Sequence, residues 1–330
     1  MRHYYLYPAE GRRDQFIDFL KGIAIIGIVW LHCMPLQSKM LAPLWCGMSV
    51  TLFLMVQVFH AYHKGASKAA LPNMRKLTMR IILPMLVVTG ILAIIQWKFG
   101  IVLNAGGVMK NLKSGGFGPG CYYPWVYLQF AVAIALFGRL QKFLKPTVWG
   151  GVTLVFSIVI DSLSAFVEMP EWLWRILFFR YTLLIWLGYD VLANGIRISP
   201  KLLLLAMISI AFILKMYYGN SDLSPWLIHN GWKVEHWPAY FYPAYLLLWI
   251  IRSLYEITPS MIRRLVSRFG MASYEIFLLQ MFFFSIFKPA HVDLFQNEVF
   301  NFLLFLMIAW SFSLGGGLYW NTLKEKKLIK

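Results

Sequence analysis

Ten apolar stretches of about 17–25 residues decide what this chain can fold into, because each is long enough to cross a bilayer as a helix. They run approximately over 16–35, 42–62, 80–97, 122–141, 148–167, 172–193, 201–218, 238–256, 271–289 and 299–320. Backbone polar groups in hydrocarbon find no water, so spanning segments of this length satisfy them internally as helices. Proline and glycine punctuate most of the gaps. Charged residues are only 14% of the chain, against about a quarter in soluble domains, and the mean hydropathy is +0.62. The expected fold is all-α: a polytopic membrane helical bundle of about ten transmembrane helices, one integral membrane domain over 1–330. No segment between spans is long enough to fold alone, and no internal repeat is visible.

The net charge of +17 would suggest a nucleic-acid partner in a soluble chain. Here it falls on the loops, and it sets an orientation instead. With the N-terminus inside, the inner segments hold Arg2, Arg12, Arg13, Lys64, Lys68, Arg75, Lys76, Arg80, Arg139, Lys142, Lys145, Arg197, Lys201, Arg252, Arg263, Arg264, Arg268, Lys324, Lys326, Lys327 and Lys330. The outer segments hold only Lys39, Lys98, Lys110, Lys113, Lys233 and Lys288, so the balance is 21 to 6. An even number of spans then returns the C-terminus to the cytoplasm. Cys33, Met34 and Pro35 do not form a small-residue cleavage site, so the first span reads as a retained anchor. Cys33, Cys46 and Cys121 lack metal-ligand spacing and read as packing residues; no metal is expected.

The first span carries the most chemistry. Asp18, Lys21 and His32 are costly in hydrocarbon, and such residues face a bundle interior or a wet cavity and mark function. Lys21 and His32 are eleven residues apart, about three turns, which puts them on one face some 16 Å apart. Asp18 precedes Lys21 by three residues and can pair with it. Asp14 falls on the same stripe one turn earlier. The competing reading is a lysine that snorkels to the interface and a histidine that donates to a neighbouring carbonyl.

Lys21, ten residues, then His32 matches the Arg/Lys-x10-His signature of the acyltransferase-3 family of integral membrane O-acyltransferases, and Asp18-x-Leu20-Lys21-Gly22-Ile23-Ala24-Ile25 resembles that family's first helix. The segment Gly270-Met271-Ala272-Ser273-Tyr274-Glu275-Ile276-Phe277-Leu278 resembles a late helix of the family. The resemblance implies O-acyl transfer, usually of acetyl from acetyl-CoA, onto a surface polysaccharide or lipid-linked glycan, in a multi-pass protein of the bacterial inner or plasma membrane. It implies an essential histidine at His32 and an essential basic residue at Lys21, with Asp18 beside it as a catalytic candidate. Near the third span the family shows Arg-x-x-Arg followed by Ile-x-Pro. Here Arg80 is followed by Ile81, Ile82, Leu83 and Pro84, while Leu77 stands where the first arginine would be. Arg80, with Arg75 and Lys76, is the candidate holder of the CoA phosphates.

Candidate acceptor contacts follow the glycine-rich outer segment 100–120. Tyr123 and Trp125 can stack on sugar rings; the other reading is a flexible loop followed by an interfacial aromatic belt. Gln129 stands where some members carry a glutamate. His60, at the end of the second span with Gln57 one turn before it, is a candidate for lining the cavity. Asp161 in the fifth span is expected to pair with Arg175 or Arg180 of the sixth, because buried charges pair. Glu275 reads as a helix N-terminal charge. Asp222, His229, Glu235 and His236 are expected in a solvated loop. A transporter or flippase for a glycan or lipid would also use buried charges and a basic inner face; inverted repeats would mark it. A noncatalytic membrane scaffold would tolerate loss of His32.

Overall fold

The computed structural model describes residues 3–4, 14–34, 42–63, 72–98, 105–141, 143–218, 235–287 and 298–326. Among these, seven unbroken helices are long and apolar enough to cross a membrane: Gln15–Cys33, Ala42–Tyr62, Met74–Lys98, Tyr123–Gln141, Pro146–Phe166, Pro200–Tyr218 and Val299–Glu325. An eighth is a pair, Ser260–Met271 and Ser273–Ile286, bent by 69° at the break between them. The molecule is therefore a multi-pass helical membrane protein. The expected sixth and eighth spans are helical but interrupted. The sixth is split into Glu171–Ile176, a 3-10 turn at Phe179–Tyr181 and Leu183–Asn194. The eighth runs through a 3-10 turn at Trp237–Tyr240 and a π-helical stretch at Tyr242–Leu247 before Leu248–Ile257. Pro238 and Pro243 each stand in the first turn of these stretches, where a missing N–H is tolerated. A π-helical stretch, Thr78–Ile82, also precedes Pro84. Arg2, Arg12, Arg13, Lys39, Lys64, Lys68, Lys142, Asp222, His229, Lys233, Lys288, Lys327 and Lys330 lie outside the described residues.

We label the helices α1 (Gln15–Cys33), α2 (Ser49–His63), α3 (Met74–Lys98), α4 (Ala105–Lys113), α5 (Tyr123–Gln141), α6 (Pro146–Phe166), α7 (Glu171–Ile176), α8 (Leu183–Asn194), α9 (Pro200–Tyr218), α10 (Leu248–Ile257), α11 (Ser260–Met271), α12 (Ser273–Ile286) and α13 (Val299–Glu325). Two strands of two residues each, β1 (His3–Tyr4) and β2 (Ile196–Arg197), pair antiparallel with His3 opposite Arg197, a small addition to the expected all-α fold. The chain divides into two compact units. One comprises Met1–Arg13, Val50–Met79 and Tyr122–Ile257; the other comprises Asp14–Ser49, Arg80–Cys121 and Thr258–Lys330.

In the first unit, α6 shows why these helices suit lipid. Val148, Val152, Val155, Val159, Leu163 and Phe166 recur at helical spacing and are all exposed on its outer face. Its other face buries Trp149, Thr153, Ser157, Asp161 and Ser164. Thr153, Ser157 and Ser164 donate their hydroxyls to carbonyls three or four residues back, which satisfies them inside the helix itself. Asp190 ties α8 to β2 and to the π-helical stretch. It accepts from Asn194 at 2.5 Å, from Arg197 at 3.5 Å and from the Tyr245 hydroxyl at 3.0 Å.

The second unit is built on α1. Asp14 caps it, its carboxylate accepting from the Phe16 and Ile17 amides at 2.8 and 3.4 Å. Asp14 therefore ends the polar stripe as a cap and does not extend it. Across α11 the two backbones touch. A Cβ at Gly270 would overlap the Asp18 carbonyl and come within 2.9 Å of the Gly22 amide nitrogen, and a Cβ at Gly22 would overlap the Val266 carbonyl. Ser267 adds a hydrogen bond to the Gln15 carbonyl at 3.3 Å. Small residues at such crossings let helices approach where no hydrophobic drive operates between them. At the far end, Trp30 packs against Trp45, Phe302 and Trp310, with ring centroids 6.0, 6.4 and 5.7 Å away.

Replacing Gly270 by alanine forces α1 and α11 apart. We expect a loss of about 3 kcal/mol, the upper end for forced overpacking, read as a lowered thermal midpoint of the purified protein in detergent; an unchanged midpoint contradicts this crossing.

Candidate active site

The second unit brings the first helix's ionisable residues into defined surroundings. Asp18 is buried, and its carboxylate meets Lys21 Nζ at 2.7 Å. The expected Asp18–Lys21 pair is therefore formed, directly over the crossing at Gly270. His32 lies half-buried in the last turn of the same helix, its ring against Phe284 of α12 at 5.4 Å between centroids. Phe284 in turn packs on Phe305 of α13 at 6.0 Å. The stripe thus runs along α1 from an ion pair at one end to an imidazole seated among aromatics at the other.

α12 carries the second sequence pattern and faces the same unit. Glu275 is buried in its first turn and binds Lys324 Nζ at 2.6 Å, so it is a paired charge rather than only a dipole partner. The Tyr274 hydroxyl donates to the Ile81 carbonyl, next to Arg80. The glycine-rich segment 114–121 is packed, not an open loop. Gly115, Gly116, Gly118 and Gly120 have positive φ, and Gln280 Nε2 donates to the Pro119 carbonyl at 3.3 Å.

The first unit holds a separate buried cluster. His236 Nδ1 sits 3.0 Å from both oxygens of Asp161. Trp174 stacks on the imidazole with centroids 6.3 Å apart. Its neighbour Glu235 binds Arg180 Nη2 at 3.2 Å and accepts from the Tyr181 hydroxyl at 2.6 Å. Burial pushes the Glu235 carboxyl above its ordinary range, against the opposing pull of Arg180 and of the Tyr181 hydrogen bond. The Arg180 guanidinium also lies over the Tyr122 and Tyr181 rings, at 5.7 and 4.6 Å. Both Glu235 and His236 are fully buried, which corrects the expectation of a solvated loop at those two positions. Asp161 pairs with His236, and Arg180 pairs with Glu235. A carboxylate on Nδ1 fixes the imidazole tautomer and leaves Nε2 as a proton acceptor, the arrangement a general base needs.

A family model described as an acyltransferase domain matches residues 14–319. The chain belongs to the acyltransferase-3 family. No curated protein and no solved structure matches it. The match covers the α1 stripe, the basic start of α3, the glycine-rich segment, the Asp161–His236 pair and α12, so every cluster described above lies inside the acyltransferase domain.

The remaining candidates are placed as follows. Arg75, Lys76 and Arg80 are exposed in the first turns of α3, whose Asn73 cap accepts from the Lys76 amide at 2.9 Å. Exposed guanidinium and ammonium groups suit phosphate oxygens. Tyr123 and Trp125 are half-buried at the start of α5, and the Tyr123 ring packs on Phe53 and Tyr127 at 6.1 and 6.0 Å. Gln129 donates to the Ile176 carbonyl at 2.7 Å, and Gln57 donates to the Tyr127 carbonyl at 2.9 Å. His60 is exposed at the end of α2. Among the described residues no three His, Cys, Asp or Glu side chains converge as a metal site. Sequence reasoning missed the Asp161–His236 pair. Its signal was two ionisable residues set directly against an apolar run that opens with Trp237 and Pro238.

Glu235→Ala leaves the Arg180 guanidinium buried without its carboxylate. The expected cost is about 3 kcal/mol or more, as when one partner of a buried pair is removed, measured by thermal unfolding. A surface pair would lose less than about 1 kcal/mol, and that result contradicts this placement.

Proposed function

We propose that this acyltransferase is a membrane O-acyltransferase that moves an acyl group, most simply acetyl, from cytoplasmic acyl-CoA to a hydroxyl of a surface polysaccharide or lipid-linked glycan. The acceptor oxygen attacks the thioester carbon, the carbon–sulfur bond breaks, and the hydroxyl proton leaves with the CoA thiol. His32 either takes that proton as a base or carries the acyl group between the substrates; an imidazole titrates near neutral pH and suits both tasks. Lys21, paired with Asp18, holds the inner end of the stripe. The reading places both chain ends in the cytoplasm, counts about ten spans in one domain and assigns the CoA phosphates to Arg80, Arg75 and Lys76. Tyr123, Trp125 and Gln129 are assigned to the acceptor, with His60 at the exposed margin.

The observation that carries this reading is the family match over 14–319, which contains Lys21 and His32 at the family's spacing on one helix. The test compares glycan O-acylation on cells that make the wild-type protein, the His32→Ala variant at matched membrane level, or neither. The wild type acylates, and His32→Ala loses at least about 100-fold, the lower range for removing a proton-transfer group. Normal acylation by the variant makes His32 structural. Unaltered acylation in all three, with a glycan or lipid missing from the surface, favours transport.

A further inference from the structure

Two buried polar atoms flank the glycine-rich segment in the second unit. Gln280 of α12 is fully buried, and its amide is half used. Nε2 donates to the Pro119 carbonyl, while Oε1 has no hydrogen-bond partner among the described residues. The Pro119 carbonyl also settles which way the amide points, because the reverse orientation would set oxygen against oxygen. Thr89 of α3 is more than nine-tenths buried, and its hydroxyl has no partner among the described residues either. Threonine in a helix ordinarily donates to a carbonyl of the preceding turn, as Thr153 and Thr322 do here. Thr89 does not, although the Met85 carbonyl is within its own helix. An orphaned buried hydroxyl or amide oxygen costs free energy that a bound donor restores.

The segment between them is held in place. A Cβ at Gly118 would overlap the Ser285 hydroxyl, one at Gly120 would come within 2.9 Å of Phe277, and one at Gly116 within 3.1 Å of Thr89 Oγ1. Residues 277, 281 and 285 form one stripe of α12 and seat the segment. Gln280 stands one turn before Phe284, whose ring rests on His32. Thr89, the segment and Gln280 therefore belong to the same unit as His32, and α12 joins them to it.

We propose that Gln280 and Thr89 are substrate-positioning residues that take hydrogen bonds from a substrate bound against the rigid glycine-rich segment beside His32. The chemistry required is a hydrogen-bond donor: an amide N–H of the pantetheine arm of acyl-CoA, or a hydroxyl of the sugar acceptor. The inference rests on the transferase reading and names where one substrate is held.

The test is steady-state acyl transfer by full-length protein in lipid nanodiscs, with acetyl-CoA and a soluble sugar acceptor varied in turn. Gln280→Met and Thr89→Val each raise one KM about tenfold, the worth of one hydrogen bond to a ligand, with kcat within about threefold and an unchanged thermal midpoint. A rise in the acetyl-CoA KM assigns the pantetheine arm; a rise in the acceptor KM assigns the sugar. Unchanged KM values in both variants overturn the proposal, as does a loss confined to kcat and thermal midpoint. If Gln280→Met does not fold, Thr89→Val, nearly isosteric, carries the same readout. Absence of transfer by the wild type overturns the underlying reading instead, so the two failures are distinct.

Discussion

The contact on which the second unit depends is the backbone crossing of α1 on α11. Gly270 leaves room for the Asp18 carbonyl, and Gly22 leaves room for the Val266 carbonyl. Helices in a bilayer gain little from apolar burial against each other, so close van der Waals approach and local hydrogen bonds must hold them. The crossing fixes the inner half of α1. It thereby fixes the Asp18–Lys21 pair, and through the run of the helix it fixes where His32 meets Phe284. Two sequence patterns far apart in the chain, one around Lys21-Gly22 and one opening at Gly270, meet at this point.

Among the described residues, the buried carboxylates sit against basic partners. Asp18 with Lys21, Glu275 with Lys324, Glu235 with Arg180 and Asp161 with His236 each place an acid against a base. Pairing of this kind lets ionisable groups persist in a low-dielectric interior, and removing one partner is far more costly than removing both. The hydroxyls of α6 satisfy themselves within the helix in the same spirit. Several buried polar atoms, Gln57 Oε1, Thr51 Oγ1 and Ser313 Oγ among them, have no hydrogen-bond partner among the described residues; Gln280 Oε1 and Thr89 Oγ1 are the two that flank the glycine-rich segment.

Much of this was legible in the sequence. Length and hydropathy gave helices, and seven of the ten expected spans are unbroken helices while an eighth is a bent pair. The three-residue spacing of Asp18 and Lys21 gave their ion pair. Other features depend on tertiary neighbours and leave little trace. Asp14 reads as part of a stripe until its amide partners are seen. Glu235 and His236 read as loop residues because the sequence does not reveal that Arg180 and Asp161 meet them. The glycine-rich segment looked equally like a flexible loop, since only the face of α12 shows what those glycines make room for. Pro84, Pro238 and Pro243 fall within the expected third and eighth spans, and the irregular turns beside them are set by packing.

Transfer of isotopically labelled acetyl from acetyl-CoA, by the purified protein in sealed lipid vesicles, is the most direct test of acyl transfer. An acyltransferase leaves the label in an alkali-labile ester on the sugar acceptor, with one CoA thiol released per ester formed. Label that stays on CoA while the sugar or its lipid carrier crosses the bilayer would contradict it and make the buried charges those of a transport path.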